Sequence, residues 1–244
     1  MGTSDAEQPK GAKQPDSTRL SVAEQQQAIL QLTKQLQQNP NDVAKLIELA
    51  THLMAVADLT QAQQVLARAA VLAPDNVAIP YNQAVIAHQL RDDQQALALL
   101  QPLVTSPLAA AVNYLVAVIY FEQQQLQLAS AFALTAVEQT PRGLAENLLL
   151  AQILTKQQLW AAAQAYAETA YQVAPENADA AFVLGGCRLN QGQAQQGAAL
   201  LRQAAAQAPQ KYQAAVTAIL GPDQSEKSNS TPLDSAPDPT STDD

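Results

Sequence analysis

One cysteine and two histidines stand in 244 residues. Cys187 therefore has no partner for an internal disulfide, and with only His52 and His88 beside it no zinc-type ligand set can be assembled. Charged residues make up only 14% of the chain, and nowhere do the basic ones form a stripe able to neutralise phosphates, so nucleic-acid binding has little physical support. No run approaches the ~18 uninterrupted apolar residues of a membrane span. The opening MGTSDAEQPK also lacks the apolar core of a secretory signal. Gly2 is followed by Ala6 where a myristoylation motif needs Ser or Thr. No membrane association is expected, and the cytoplasm is the expected location.

What the chain does have is 48% hydrophobic residues, enough to bury a sizeable core. Alanine and glutamine fill many of the places where surface glutamate and lysine usually sit, and both favour helix. The formal charge of -9 is uneven: residues 221–244 hold six acids and one lysine, against thirteen acids and nine basic residues between 20 and 220. Segments 1–18 and 221–244 are rich in Ser, Thr, Pro, Asp and Gly, with almost no large apolar residues, and are expected to be disordered tails, the second of them acidic.

Two phrases nearly repeat each other, LTQAQQVLARAAVLAP at 59–74 and WAAAQAYAETAYQVAP at 160–175. Prolines that close such phrases are Pro40, Pro74, Pro107, Pro141, Pro175 and Pro209, at intervals of 34, 33, 34, 34 and 34 residues. A fixed period of this length marks a solenoid. Counted from the first residue of each unit, position 8 reads Ala50, Ala84, Ala117, Ala151, Gly185 and position 20 reads Ala62, Ala96, Ala129, Ala163, Gly197. Two small positions per unit are what two helices need where they cross at 8–10 Å. Larger apolar residues recur at position 7 (Leu49, Val116, Leu150, Leu184) and position 24 (Leu66, Leu100, Leu201), which fall on buried faces. Each proline ends a helix, and a following Asn or Asp is suited to cap the next.

Period, small positions and proline together resemble the tetratricopeptide repeat family, over roughly residues 21–220. The resemblance implies an all-α fold, a right-handed α-solenoid of helix-turn-helix units, each with a helix A and a helix B. The solenoid is expected over 19–220: a half repeat at 21–42 with Ala28 and Leu32 at positions 20 and 24, full repeats at 43–76, 77–109, 110–143, 144–177 and 178–211, and a capping helix at 211–220 with Tyr212, Ala215, Val216 and Ile219 on one stripe. The aromatic that the family often carries at position 4 is missing: Leu46, Pro80, Asn113, Asn147 and Ala181 stand there. Repeat two is the weakest, with Pro80 early in helix A, Gln83 at position 7 and Pro102 inside helix B. An interior proline costs about 3 kcal/mol or more, so helix B is expected to kink or end near residue 101.

No nucleophile with its base, carboxylate pair or glycine-rich phosphate loop is present, so an enzyme is not expected and no cofactor or metal is implied. Asp92 and Asp93 read as solvated charges in a turn, His52 as a residue packed between helices, and Cys187 as a small buried apolar residue. The resemblance places a binding surface on the concave side, on helix A positions 2, 5, 9 and 12. Position 5 holds Ile47, Tyr81, Tyr114, Leu148 and Phe182; position 9 holds Thr51, Val85, Val118, Gln152 and Gly186; position 12 holds Met54, His88, Phe121, Thr155 and Leu189. These side chains either pack against the neighbouring helix A or, as a set, form an apolar groove for a peptide or helix of another protein, with Tyr81, Tyr114 and Phe182 as anchors and Asn82, His88 and Gln152 as polar guides. A carboxylate clamp of the chaperone-cofactor kind is not expected, since Ala111 and Leu115 stand where its basic pair would be and only Asn82 matches. The expected class is a protein-binding adaptor or assembly factor. The alternative is a homo-oligomer assembled through the solenoid ends, with the choice between monomer and oligomer open.

Overall fold

The structure, a computed structural model, describes residues 21–221. The two expected tails lie outside these residues, apart from Gly221. Twelve α-helices and one 3-10 turn, with no strand among the described residues, follow one another in pairs. Helix α1 (Val22–Gln38) stands alone at the start. It is followed by α2 (Val43–Ala55) with α3 (Leu59–Leu72), then α4 (Ala78–Gln89) with α5 (Asp93–Leu100). After the 3-10 turn Gln101–Leu103 come α6 (Ala109–Glu122) with α7 (Leu126–Gln139), α8 (Leu144–Lys156) with α9 (Trp160–Val173), and α10 (Ala178–Asn190) with α11 (Ala194–Gln207). A last helix, α12 (Pro209–Leu220), closes the stack. The architecture is an all-α solenoid.

The small residues are where the helices of a pair meet. Ala50, Ala84, Ala117 and Ala151 at position 8 and Ala62, Ala96, Ala129 and Ala163 at position 20 are all 0% exposed. In the last pair the approach is closer still: a Cβ placed on Gly197 would lie 2.8 Å from the Gly185 carbonyl oxygen and 2.9 Å from the Leu189 nitrogen. Leu66, Leu100 and Leu201 at position 24 are likewise 0% exposed.

Starts and stops follow local chemistry. Ser21 and Glu24 form a capping box on α1, and the side chains of Asp42, Asp58, Asp92 and Asn177 accept from the backbone N–H three residues on, at the starts of α2, α3, α5 and α10. Pro80 lies in the first turn of α4, where its missing N–H breaks no intrahelical bond. Pro209 opens α12 for the same reason, so that helix begins two residues ahead of 211. Pro102 ends α5 at Leu100 and turns the chain into a 3-10 step; a helix B of eight residues results where the other full repeats have fourteen. On α12, Tyr212 and Val216 are buried but Ile219 is 52% exposed. The buried stripe continues through Leu220, which packs on the terminal cluster in its place.

Each A-to-B turn passes through one residue with positive φ at position 15: Ala57 (61°), Arg91 (66°), Gln124 (61°), Gln158 (63°) and Gly192 (80°). Only the last is a glycine. A left-handed residue with a Cβ is disfavoured by roughly 1–2 kcal/mol, partly offset by the greater unfolded-state freedom of glycine. Gln158→Gly is therefore expected to raise unfolding free energy by up to about 1 kcal/mol. Two helix glycines give opposite signs: Gly186 has open space where a Cβ would stand and Gly186→Ala is expected to stabilise by about 0.5–1 kcal/mol, whereas Gly197→Ala meets backbone and is expected to destabilise by about 1–3 kcal/mol. Urea unfolding of the three variants checks all of these, and equal effects of the two alanines would contradict the close crossing.

Candidate binding groove

The A helices α2, α4, α6, α8 and α10 bring the position-5 residues Ile47, Tyr81, Tyr114, Leu148 and Phe182 to one register, and all five are half-buried. They are seated in the core as well as displayed: Ile47 and Val85 pack on the cluster of α1–α4, Tyr81 on that of α4–α6, and Tyr114, Val118, Phe121 and Leu148 on that of α6–α11. Burial pushes the Tyr81 phenol above its ordinary pKa, and the fields of Tyr114 and Glu146 add in the same direction. The three groups thus share one stretch of this surface.

At position 9, Thr51 is exposed and donates its hydroxyl to the Ile47 carbonyl at 3.0 Å, Val85, Val118 and Gln152 are half-buried, and Gly186 leaves open space. At position 12, Met54 is buried, while His88, Phe121, Thr155 and Leu189 are half-buried. Asn82 is buried and its amide donates to Ala78 O at 2.7 Å, so its N–H serves its own helix. Asn113 and Asn147, both buried, do the same toward Ala109 O and Gly143 O at 2.8 Å.

The last anchor has a partner within the chain. Phe182 stacks on Tyr212 of α12 with ring centroids 4.3 Å apart, the Tyr212 hydroxyl donates to Asp179 Oδ1 at 2.7 Å, and Lys211 bonds the same carboxylate at 2.8 Å. Burial, followed by this bond and the Asp179 charge, raises the Tyr212 phenol far above its usual range. The fifth position-5 residue is therefore covered on one side by the terminal helix. Ile47, Tyr81, Tyr114 and Leu148 remain as the apolar row.

Asp92 and Asp93 are not simply solvated. Asp92 caps α5, and Asp93 Oδ1 lies 2.7 Å from His88 Nδ1 while its Oδ2 accepts from Gln123 Nε2 at 3.2 Å. Glu122 adds a carboxylate 3.9 Å from His88 Nε2 and pairs with Arg91 at 2.6 Å. This knot ties repeat two to repeat three at the groove's edge. The sequence signal for it is the clustering of His88, Arg91, Asp92 and Asp93 within six residues of a chain poor in charge, a signal that the reading of Asp92 and Asp93 as solvated charges passed over. His52 lies between helices as expected, its Nδ1 2.6 Å from Gln25 Oε1 of α1. Cys187 is fully buried, with its thiol pushed up by burial against a weak contact to the Thr155 hydroxyl at 3.8 Å. Among the described residues no group of three or more His, Cys, Asp or Glu is placed to hold a metal ion, and no helix is long and apolar enough to cross a membrane.

Two family models, both described as tetratricopeptide repeat, match residues 47–106 and 154–219. No curated protein matches the chain. Among solved structures it is similar to PilW, a widely conserved type IV pilus biogenesis factor (18% identity, 81% of this chain and 91% of that one, TM-score 0.66). It is also similar to YrrB, a TPR protein with an unusual peptide-binding site (17% identity, 78% and 98%, TM-score 0.56), and to yeast Tom70 (19% identity, 83% and 46%, TM-score 0.64). At these identities the likeness is one of fold.

The bond from His88 holds the Asp93 carboxyl below the usual carboxylate range, with Gln123 adding to it and burial opposing it. Asp93 then binds its proton more weakly folded than unfolded. Its contribution to stability is complete above about pH 4, the ordinary carboxylate value, and is lost as pH falls through the lower folded value. Asp93→Asn is expected to flatten the acid limb of stability between pH 4 and pH 2, measured by urea unfolding at each pH; an unchanged slope would show the pair to be idle.

Proposed function

The chain belongs to the tetratricopeptide repeat family, and on that premise we propose that it is a non-enzymatic, cytoplasmic adaptor or assembly factor that binds a peptide or helix of a partner protein in its concave groove. The observation that carries this reading is the row Ile47, Tyr81, Tyr114 and Leu148, half-buried at one register in a chain with only 4% aromatic residues. A contiguous apolar row of this kind supplies anchors, and Gln152 and Thr51 supply polar edges. YrrB's peptide-binding site and PilW's place in pilus biogenesis support the class without naming this chain's partner. Burial of roughly 400 Å² of apolar surface would contribute on the order of 10 kcal/mol, and association and ordering remove about 4 kcal/mol or more of it, which sets affinity at tens of micromolar or weaker.

A second reading, assembly of copies end to end, is favoured by one observation. Helix α1 is a helix B without its helix A, and α12 is a helix A without its helix B, with Ala214, Ala218 and Ile219 exposed on it. Gln31 and Gln35, also exposed, solvate the matching side of α1. Groove binding is therefore the principal reading, and light scattering across concentration separates the two.

The test uses the intact protein and a Tyr81→Glu, Tyr114→Glu variant, both shown folded by circular dichroism, as baits in a lysate of the native cell. Phe182 is left in place because it holds α12. A protein retained by the first and weakened about tenfold or more on the second, some 1.4 kcal/mol or above, is the expected outcome. Capture of the same proteins by both baits would sink the reading.

A further inference from the structure

The spaces between neighbouring B helices are unevenly filled. In the second half of the solenoid, Phe132 and Tyr166 at position 23 and Tyr171 at position 28 lie half-buried against the core. The Tyr171 hydroxyl also donates to Gln203 Oε1 across a repeat junction, at 2.9 Å. At the same two positions α1 carries Gln31 and Leu36, and α3 carries Val65 and Ala70. Position 4 of the first full repeat, where the family often has an aromatic, is Leu46. These shorter side chains leave a groove of about 450 Å³ between α1 and α3, floored by Leu36, Leu46, Leu49 and Val65.

Two features indicate what fits there. First, the apolar floor continues onto exposed residues of both walls: Leu30 is 68% exposed one turn before Thr33, which lines the groove, and Val71 (83%) and Leu72 (39%) follow Arg68 by one turn. A strip of that kind, running along two helices, suits the apolar face of a third helix of about three turns. Second, Arg68 is the one charged residue among those lining the groove, and exposed Lys34 adjoins Thr33 on the α1 side. No carboxylate lines it, in a chain of formal charge -9. An apolar strip edged by cations in an otherwise acidic molecule is complementary to acidic groups.

We propose that the groove between α1 and α3 docks an amphipathic helix of a partner protein, its apolar face on Leu46, Leu49 and Val65 and its acidic residues beside Arg68 and Lys34. This surface is separate from the concave row, so the two bind independently. The chain's own acidic residues 222–244 are a poorer occupant, because Leu233 is their one large apolar side chain.

The test uses the full chain and two probe peptides of sixteen residues. Both carry leucines at helical spacing; one has glutamates on the flanks, the other lysines in the same places. Amide shifts and fluorescence anisotropy are read on wild type, on Arg68→Glu, on the groove-filling Gln64→Trp, and on Tyr81→Glu, Tyr114→Glu. The acidic peptide is expected to shift the amides of Gln37, Gln64 and Val65, and to weaken about tenfold on Arg68→Glu, the scale of one close charge pair. It should lose binding on Gln64→Trp, which needs no change of charge or core, and keep it on the tyrosine variant. Equal binding of the two peptides, shifts confined to the concave residues, or no binding by either would overturn the proposal. So would movement of the groove amides when the peptide-free chain is truncated after Gly221, which would assign the groove to the chain's own acidic segment. Loss of partner capture by the tyrosine variant with peptide docking intact separates the failure of one site from the other.

Discussion

The close crossing of helix A and helix B sets nearly everything else in this molecule. At that crossing a methyl group is the largest side chain that fits, and in the last repeat not even that, since Gly197 faces the Gly185 carbonyl. The alanines there are fully buried. Each contributes little apolar area itself, but it lets the long side chains on either side, Leu66, Leu100 and Leu201 among them, reach across and fill the space without strain. Because the constraint recurs at the same two positions in each unit, all A helices are set on one side of the stack. The row of position-5 residues is a geometric consequence of the crossing.

That dependence explains how much was legible in the sequence. A constraint acting inside each unit leaves a periodic trace, so the helix pairs, the small positions, the terminating prolines and the shortened helix at Pro102 are all readable from spacing. The surface was less legible because its neighbours come from other units. Phe182 looks like an open groove residue until Tyr212 is brought against it, and Asp93 looks solvated until His88 and Gln123 converge on it. Ile219 was placed on the buried stripe by helical phase alone, while the packing of α12 selects Leu220. The glutamine content, read as helix propensity, also has a tertiary part. At position 14, Gln123, Gln157 and Gln191 reach back to Asp93 Oδ2, Leu126 O and Trp160 O of the preceding repeat. Each of those bonds spans thirty or thirty-one residues, and no pattern within one unit announces it.

The junction between repeats two and three combines the shortest helix B with a cluster of charges. With α5 ended at Leu100, helix B offers less apolar length to the next repeat, and the groove edge there is tied by ions: Arg91 to Glu122, and His88 and Gln123 to Asp93. Arg91 and Glu122 are 77% and 42% exposed, so their pair contributes little and is weakened by salt. The less exposed His88–Asp93 contact carries more of the tie. A solenoid distributes stability by neighbour interfaces. This junction should therefore respond to pH and salt more strongly than the junction between repeats three and four, where the neutral Gln157 amide bonds Leu126 O.

With aromatics so scarce, their placement decides which surfaces are closed. Phe132, Tyr166 and Tyr171 fill spaces between B helices in the second half, and Phe182 stacks on Tyr212 at the C-terminal end of the position-5 row. Tyr81 and Tyr114 stand at position 5 of repeats two and three, with no aromatic at the corresponding place in repeat one, where Ile47 stands. Around α1–α3 no aromatic is present at all, and the same shortage that keeps the crossing helices close leaves the outer space over Leu46 and Leu49 unfilled. Closed surfaces at one end and open ones at the other follow from where a few large side chains fall, on a backbone that the small ones have already fixed.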